Sequence, residues 1–391
     1  MTLIPKPINE KPVIISKLSQ EESLLNQEHS KKLYTLQIIL TNYCNLKCNY
    51  CYVQRDVVRS IPLEIAKEAI SNMVLSHPPE DWMYTLCFMG GEPLSEFAKI
   101  QHICEWIWET YPNIDIQISS PTNGTLLNDD IRIWLRNNSQ RFSLSLSYDG
   151  DSIQDYNRSN SASSIDTAFF RDLWPDQPFK MTISEYEVSY LASNIISLQE
   201  RGYKIAANAA CGEALWEMDS IREFGAQMLI LAQYYADHPS IQPVDLIDID
   251  IPLIFNHQDT MLRRCGIGCN YDTIDMDGKM YPCHLFSSLA LKSSEIERAK
   301  TYQMGEREDF TISICEDCVL NPICPRCYGM SFLRFGDPFA VDKNLCLLFK
   351  QQIKGACSYH IKRMAKLGNL TRKDHIVLCA IKTIMNKLHF E

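Results

Sequence analysis

Three cysteines near residue 50 stand in a spacing that can hold an iron–sulfur cluster. They are Cys44, Cys48 and Cys51, in a C-x-x-x-C-x-x-C pattern that follows a strand-like run ending at Leu40. Three thiolates on one loop can bind three irons of a four-iron cluster. The fourth iron is then open to a small molecule that offers an amine and a carboxylate. The alternatives are a zinc site and a cluster whose fourth cysteine lies elsewhere in the chain.

A second group of cysteines lies in the last third of the chain. Its eight members are Cys265, Cys269, Cys283, Cys315, Cys318, Cys324, Cys327 and Cys346. They could hold two zinc ions or two four-iron clusters, and pairs spaced C-x-x-C favour zinc when taken alone. The remaining cysteines are isolated, and we interpret them as small buried hydrophobic residues. These are Cys87, Cys104, Cys211, Cys357 and Cys379.

A glycine-rich motif follows the strand-like run Thr85–Met89. It consists of Gly90, Gly91, Glu92 and Pro93. The two glycines leave backbone amide and carbonyl groups accessible. Together with the carboxylate of Glu92, these groups suit the capture of an ammonium group.

Two further polar motifs stand at the ends of later strands. They are Thr122–Gly124, which contains Asn123, and Ser147–Gly150, which contains Ser147 and Asp149. Their hydroxyl and carboxylate groups could bind a ribose.

Strand-like and helix-like segments alternate through the first two thirds of the chain. The predicted strands are Leu36–Leu40, Thr85–Met89, Asp115–Ser119, Phe142–Ser147, Phe179–Ile183 and Lys204–Asn208. The predicted helices are Pro62–Ser76, Glu96–Thr110, Asp129–Asn138, Val188–Arg201 and Ala214–Tyr235. This alternation predicts an α/β fold with a parallel sheet and crossover helices, curled into a partial (β/α)6 TIM-like barrel. Ligands would bind at the carboxyl ends of the strands, where the motifs lie.

The pattern changes after residue 236. We expect an N-terminal extension at 1–33, the barrel at 34–236 and a connector at 237–259. A small cysteine-rich module at 260–350 and a helical tail at 351–391 should follow. Two amphipathic helices are predicted here, Leu345–Met364 and Lys373–Leu388.

Composition and charge limit the partners and the cellular compartment that we expect for the protein. The chain has 391 residues and a net charge of −10, so no overall basic field favours a nucleic-acid partner. The N-terminus has no apolar signal-peptide region, and no apolar run approaches the roughly 20 residues of a membrane span. We therefore expect a cytoplasmic protein with no membrane partner. Clustered cysteines in that reducing compartment typically bind metal or do redox chemistry.

The first cysteine motif together with the Gly90–Pro93 motif resembles the radical SAM superfamily. In that superfamily the open iron binds S-adenosylmethionine. One electron from the cluster cleaves this cofactor to a 5′-deoxyadenosyl radical, which abstracts hydrogen from the substrate.

The resemblance implies roles for several residues at the strand ends. Tyr50 should pack beside the adenine, and Gly90–Glu92 should bind the amino group. Ser147 should contact the ribose or the carboxylate, and Arg158 is a candidate partner of the carboxylate. The alternative for Arg158 is a surface salt bridge.

The second cysteine group resembles the SPASM extension of peptide-modifying radical SAM enzymes, which carries up to two auxiliary 4Fe–4S clusters. The resemblance implies two interleaved ligand sets. Auxiliary cluster I takes Cys265, Cys269, Cys283 and Cys327, and auxiliary cluster II takes Cys315, Cys318, Cys324 and Cys346. Because two loops must meet to complete either cluster, we expect metal binding to hold together a module with little apolar core.

The chain departs from the SPASM pattern in one place. Only Pro325 and Arg326 separate Cys324 from Cys327, where the family usually has three residues. This departure bears on the assignment of Cys327. The spacing to Gly278 admits either Cys265 or Cys269 as the first ligand of the set.

Enzymes of this architecture mostly modify peptides or proteins. The resemblance implies a maturase that uses S-adenosylmethionine and three 4Fe–4S clusters to install a thioether or carbon–carbon crosslink in a ribosomally made precursor peptide. It also implies an external one-electron donor of flavodoxin or ferredoxin type. Residues 1–33 are too few for a winged-helix leader-binding domain, so a separate protein or the barrel itself must bind the leader. The alternatives are a sulfatase-maturating oxidation to formylglycine and a non-catalytic electron-transfer protein.

One histidine bears on this choice. In sulfatase maturases an aspartate that acts as base follows the cysteine of the Gly-x-x-x-x-Cys motif. Here Cys283 is followed by His284, which could take a proton in a similar place. The alternative is a histidine that lies at the surface or supports a cluster ligand. The change from aspartate disfavours the formylglycine reaction.

Three tyrosines lie near the motifs. Tyr52, Tyr148 and Tyr328 could line a substrate channel. Aromatic residues beside clusters more often serve packing.

Overall fold

The strands form a mostly parallel sheet of six strands and a separate parallel pair. The computed structural model describes residues 31–210, 216–255, 265–304 and 312–388. The strands in these ranges are β1 (Lys32–Thr41), β2 (Trp82–Gly90), β3 (Ile116–Thr122), β4 (Phe142–Leu146), β5 (Phe179–Ile183), β6 (Ile205–Ala209), β7 (Tyr271–Ile274) and β8 (Met280–Tyr281).

The first six strands have the order of a barrel. Strands β1 to β4 pair in parallel in chain order, and β5 pairs in parallel with β6. A parallel bridge between Ser147 and Lys180 joins the two groups. The predicted partial (β/α)6 barrel is therefore confirmed, and each predicted strand is present within a few residues of its expected bounds.

Alternation along each strand separates an apolar outer face from a polar inner one. On β2, Tyr84, Leu86 and Phe88 are buried in the main apolar core with the surrounding helices. The residues between them face the interior, where Cys87 lies beside Gln37 of β1 and Ser119 of β3. A closed eight-stranded barrel fills its interior with branched apolar side chains. This interior instead carries polar and small side chains such as Gln37 and Ser119 beside apolar ones such as Ile39.

The helices cover the outer face of the barrel and form the C-terminal part of the chain. Those in the described ranges are α1 (Leu63–Ser76), α2 (Phe97–Thr110), α3 (Asp129–Asn138), α4 (Gln154–Asn157), α5 (Thr167–Leu173), α6 (Leu191–Glu200), α7 (Met218–Asp237), α8 (Ser293–Ala299), α9 (Ser313–Glu316), α10 (Tyr328–Phe335), α11 (Lys343–Ala365) and α12 (Arg372–Lys387). The predicted helices correspond to α1, α2, α3, α6, α7, α11 and α12. The start of the helix predicted at Ala214 lies outside the described residues.

The cysteine-rich region is joined to the barrel through the sheet. Strand β7 pairs in parallel with β1, and β8 completes an antiparallel hairpin with β7. The hydroxyl of Tyr34 on β1 donates to the carboxylate of Asp272 on β7. Sequence periodicity did not predict this pairing, because β7 spans only four residues.

The module has an apolar core of its own, and the expectation of little core is wrong. Its buried residues are Ile267, Tyr281, Phe286, Leu291, Ile296, Ala299, Tyr328 and Phe332. A second cluster places Leu320 and Ile323 beneath α11 and α12. The module therefore gains stability from apolar burial as well as from any metal.

The long helices α7 and α11 pack closely side by side. A Cβ atom on Gly355 of α11 would lie 2.6 Å from the Cβ of Met228 on α7. Glycine thus sets the distance between these helices. No helix within the described residues is long and apolar enough to cross a membrane.

We expect Gly355→Ala to destabilise the protein. The added methyl must push α7 away from α11, and such overpacking lowers the free energy of unfolding by about 1–3 kcal/mol. Gly368→Ala is the matched control, because a Cβ there meets nothing within 4 Å, and its effect should stay within about 0.5 kcal/mol. Denaturant unfolding followed by circular dichroism measures both, and a Gly355→Ala protein as stable as the control would contradict this account of the helix contact.

Candidate active site

The loop after β1 carries the first cysteine group. Asn42 closes this loop, since its Nδ2 donates to the carbonyl oxygens of Gln54 at 3.0 Å and Val57 at 2.7 Å. Cys44 and Cys48 are half-buried, and Cys51 is exposed. The three thiols therefore lie at the carboxyl end of β1, at the mouth of the barrel.

The three thiols influence one another. Burial raises the pKa of Cys48 to about 11; the charge of Arg158 opposes this rise, and the nearby Cys51 and Cys44 thiolates add to it. Neighbouring thiolates repel one another, so a cation shared between them would stabilise all three. No three His, Cys, Asp or Glu side chains in the described ranges are close enough to hold a single metal ion. Three cysteines on one loop supply the ligand type and number that a four-iron cluster with one open iron requires.

The glycines of the Gly90–Pro93 motif let the end of β2 approach the cysteine loop. A Cβ on Gly90 would lie 2.3 Å from the carbonyl oxygen of Thr41, and one on Gly91 would lie 2.3 Å from that of Tyr43. The amide of Gly91 donates to Thr41 O at 2.9 Å. Any larger residue would push this turn away from the cysteines.

Glu92 anchors the motif to the end of β3. Its side chain is buried and accepts hydrogen bonds from Thr122 Oγ1 at 2.8 Å, the Asn123 amide at 2.7 Å and the Leu94 amide at 3.0 Å. Burial raises the pKa of Glu92, and these hydrogen bonds oppose the rise. Pro93 is also buried and begins a single 3-10 turn. A contact of Glu92 with an ammonium group stays a prediction.

Asn123 connects β3 to the cysteine loop. Its Nδ2 donates to Asn45 Oδ1 at 2.9 Å and lies 3.8 Å from Cys44 Sγ. Ser147 follows the neighbouring strand β4, and its amide donates to Thr122 O at 2.8 Å. Binding of a ribose by these residues stays a prediction.

A buried carboxylate organises the other side of the loop. Asp149 is fully buried and accepts from Tyr50 OH at 2.5 Å, from Arg158 Nε at 2.9 Å and Nη2 at 3.0 Å, and from the Thr182 amide at 2.9 Å. The guanidinium of Arg158 also lies 5.4 Å from the centre of the Tyr50 ring. Arg158 is thus part of a buried ion pair, and its interpretation as a surface salt bridge is wrong.

Among the module's cysteines, one set forms beside the barrel. Burial, together with the nearby Cys327 and Cys265, raises the pKa of Cys283 to about 12. Helix α10 begins directly after Cys327, and a Cβ on Gly329 would lie 2.5 Å from the Cβ of Leu285. This close approach brings Cys327 to Cys283.

A second set lies between α9 and α11. Burial raises the pKa of Cys324 to about 11, Arg326 lowers it, and Cys346, Cys318 and Cys315 raise it. Cys269 is exposed and lines a cavity of about 430 Å³ at the β7–β8 hairpin. Cys265, Cys283 and Cys327 therefore lie near one another. The second set is formed by Cys315, Cys318, Cys324 and Cys346. Cys269 faces the cavity, and ligation of a cluster by either set stays a prediction.

His284 and Gln37 connect the module with the barrel interior. His284 Nδ1 lies 3.0 Å from Gln37 Oε1, and its ring is 5.7 Å from that of Tyr52. Burial lowers the pKa of His284 to about 4, so the imidazole is neutral at pH 7. The sequence signal that could have selected Gln37 is a polar residue on the inner face of an otherwise apolar strand.

The other tyrosines serve packing. Tyr148 and Tyr328 are buried, which agrees with the packing interpretation rather than with a channel lining.

The segment that carries most of this site matches a known protein family. Residues 38–168 match the family model described as the Radical SAM superfamily. The radical SAM cyclopropyl synthase TigE of Paramaledivibacter caminithermalis is 20% identical over 367 residues, which cover 84% of this chain and 74% of TigE. An uncharacterized protein of Methanocaldococcus jannaschii, MJ0907, is 36% identical over 92 residues, which cover 24% of this chain and 31% of that protein. The match thus spans about a third of the length of the latter relative.

Solved structures share the fold over most of the chain. Native anSMEcpe with bound AdoMet superposes with a TM-score of 0.60 at 17% identity, covering 85% of this chain and 100% of anSMEcpe. Streptococcus suis SuiB bound to precursor peptide SuiA superposes with a TM-score of 0.51 at 13% identity, covering 88% of this chain and 83% of SuiB. The resemblance that the first cysteine motif indicated is confirmed.

We expect Arg158→Met to destabilise the protein strongly. The substitution leaves the Asp149 carboxylate buried without its cation, which costs about 3–5 kcal/mol of unfolding free energy. The nearby pair of Arg201 and Asp151 is the control, because its side chains are 46% and 50% exposed. Arg201→Met should cost less than about 1 kcal/mol.

A double variant separates ion pairing from simple loss of packing. Asp149→Asn combined with Arg158→Met removes both charges, so it should be more stable than Arg158→Met alone. Equal stability of these two proteins in denaturant unfolding would show that the charge of Asp149 is not the cause.

Proposed function

We propose that this chain, a radical SAM enzyme, is a maturase that abstracts hydrogen from a side chain or Cα of a ribosomally made precursor peptide and installs a crosslink. The crosslink is a thioether or a carbon–carbon link. The observation that carries this proposal is the arrangement of three cysteine groups around the mouth and flank of a polar barrel. The shared fold with SuiB, which was solved with its precursor peptide SuiA, supports a peptide substrate.

The first cysteine group fits a cofactor-binding 4Fe–4S cluster. Cys44, Cys48 and Cys51 supply three thiolates, and no fourth cysteine lies on their loop. When bound, such a cluster with S-adenosylmethionine supplies the 5′-deoxyadenosyl radical that abstracts hydrogen. The backbone of Gly90 and Gly91 lies directly beside the loop and is suited to hold the amino group of S-adenosylmethionine.

The remaining predicted contacts lie on the opposite side of the loop. Tyr50 is suited to pack beside the adenine, and Ser147 to contact the ribose or carboxylate. Arg158 keeps a fixed position because Asp149 accepts two of its hydrogen bonds. A guanidinium held in this way can offer its remaining N–H groups to a carboxylate at little further entropic cost.

The barrel interior is suited to a peptide. Hydroxyl, amide and thiol groups of Gln37, Cys87, Ser119 and Ser143 lie side by side across β1 to β4. Polar groups of this kind can bind the amides of an extended backbone. His284 reaches this interior through Gln37 and is the predicted base, although a pKa of about 4 makes its imidazole a weak base at pH 7.

The module's cysteines fit two auxiliary 4Fe–4S clusters. Hydrogen abstraction leaves a carbon-centred radical, and closing a crosslink requires a second electron to leave. An auxiliary cluster is a suitable acceptor for that electron. Cluster I would take Cys283, Cys327 and Cys265, with Cys269 as its fourth predicted ligand, and cluster II the remaining four cysteines of the module.

The partners follow from this chemistry. The first cluster needs an external one-electron donor of flavodoxin or ferredoxin type, and the precursor peptide is the substrate. Free thiol groups in such number suit a reducing, cytoplasmic compartment.

Oxidation of a protein residue to formylglycine is a second candidate. The shared fold with anSMEcpe, an anaerobic sulfatase maturase, favours it. The base in that reaction would have to be His284 in place of aspartate.

We expect the reconstituted protein to form 5′-deoxyadenosine from S-adenosylmethionine and dithionite under anaerobic conditions. Cys51→Ala should reduce formation to background, because only two thiolates of the loop remain. Cys379→Ala is the control, since this cysteine is exposed and isolated in the sequence. Absence of 5′-deoxyadenosine with the wild-type protein, or wild-type formation by Cys51→Ala, would contradict the proposal.

Iron counting in double variants tests the interleaved ligand sets. The wild-type protein should bind about twelve irons, four per cluster. Cys283→Ala with Cys327→Ala should lose about four irons, because both residues serve one cluster. Cys283→Ala with Cys324→Ala should lose about eight, because they serve different clusters. Equal losses in the two double variants would exclude this assignment.

A further inference from the structure

Arg55 links the two ends of the cysteine loop. Its Nη2 donates to Cys51 Sγ at 3.2 Å, and its Nη1 donates to the carbonyl oxygen of Leu46. Leu46 lies between Cys44 and Cys48 in the sequence. One half-buried guanidinium therefore contacts both the segment between the first two cysteines and the sulfur of the third.

The other hydrogen bonds to these sulfurs come from neutral groups. Cys44 Sγ accepts from the Leu46 amide at 3.4 Å and lies 3.8 Å from Asn123 Nδ2. Of the hydrogen bonds to these three sulfurs within the described ranges, the one from Arg55 comes from a charged side chain. Arg55 thus differs from the Leu46 amide and the Asn123 side chain in its charge and in the sulfur that it contacts.

A cationic donor at a cluster sulfur favours the reduced cluster. One-electron reduction adds a negative charge to the cluster and its thiolates, and a fixed positive charge stabilises the more negative state. Hydrogen bonds to the sulfurs act in the same direction and are among the factors that set cluster potentials.

We propose that Arg55 is a positioning residue that raises the reduction potential of the cluster on Cys44, Cys48 and Cys51. The inference rests on the proposed function, because it requires a cluster on these cysteines. Arg55 acts through its hydrogen bond to Cys51. Its effect is to ease the transfer of one electron from the external donor to the cluster.

The same loop offers a matched control. Arg59 lies four residues after Arg55, and its guanidinium donates to Ser288 Oγ at 2.6 Å. Replacing either arginine with glutamine removes one positive charge from the loop. Only Arg55→Gln removes the charged hydrogen bond to Cys51.

The test is a potentiometric measurement on the reconstituted holoenzyme and its variants. The reduced cluster is followed by EPR, and the signal that changes on addition of S-adenosylmethionine identifies the cofactor-binding cluster. At the wild-type midpoint, the ratio of reduced to oxidised cluster should fall about tenfold in Arg55→Gln, which corresponds to about 59 mV for one electron. The ratio should change less than about twofold in Arg59→Gln, which keeps the hydrogen bond to sulfur. Arg55→Lys keeps the charge without the planar fork and should fall between wild type and Arg55→Gln.

Several outcomes would overturn the assignment. Equal shifts in Arg55→Gln and Arg59→Gln would show that the contact with Cys51 has no effect of its own. A shift in Arg55→Lys as large as that in Arg55→Gln would exclude a role for the charge. Loss of iron from Arg55→Gln, with full iron in Arg59→Gln, would mean that Arg55 only holds the loop in place. Failure of the proposed function is distinguishable from all of these, because the wild-type protein itself would then lack a signal sensitive to S-adenosylmethionine.

Discussion

The buried carboxylate of Asp149 joins three separate parts of the chain, and the geometry of the site depends on it. It accepts hydrogen bonds from Tyr50 on the cysteine loop, Arg158 after α4 and the amide of Thr182 on β5. A buried carboxylate without donors is costly. The loop, the helix end and the strand must therefore come together for the charge to be tolerated. Their meeting places the cysteines relative to the strand ends before any cluster is bound.

A second constraint acts from the other side of the loop. Gly90 and Gly91 allow the turn after β2 to lie against Thr41 and Tyr43, closer than any side chain would permit. The cysteine loop is thus held between a charged, hydrogen-bonded contact on one side and a contact of bare backbone on the other. Such a loop keeps its cysteines close together even though it has no regular secondary structure.

The cysteine-rich module and the barrel are joined through a common sheet. Strand β7 extends the sheet at β1, and His284 reaches Gln37 on the inner face of that same strand. Cys283, which precedes His284 in the sequence, therefore has a fixed position relative to the barrel interior. Polar groups of β1, β2 and β3 line up across that interior, with Gln37, Cys87 and Ser119 in register.

The sequence by itself predicted the resemblance to the radical SAM superfamily and most of the secondary structure. Two local patterns carried these predictions. The spacing of Cys44, Cys48 and Cys51 predicts the cluster motif, and the alternation of strands and helices predicts the barrel. Both can be recognised from residues that are close together in the sequence. The partner of Arg158, the pairing of β7 with β1, the core of the module and the contact of Arg55 with Cys51 were decided by the tertiary structure. The partner of Arg158 required knowledge of which charge it meets in a buried space, and the pairing of β7 joins residues more than 230 positions apart. Periodicity and spacing describe one stretch of chain at a time, so they carry no information on which stretches burial and hydrogen bonding bring together.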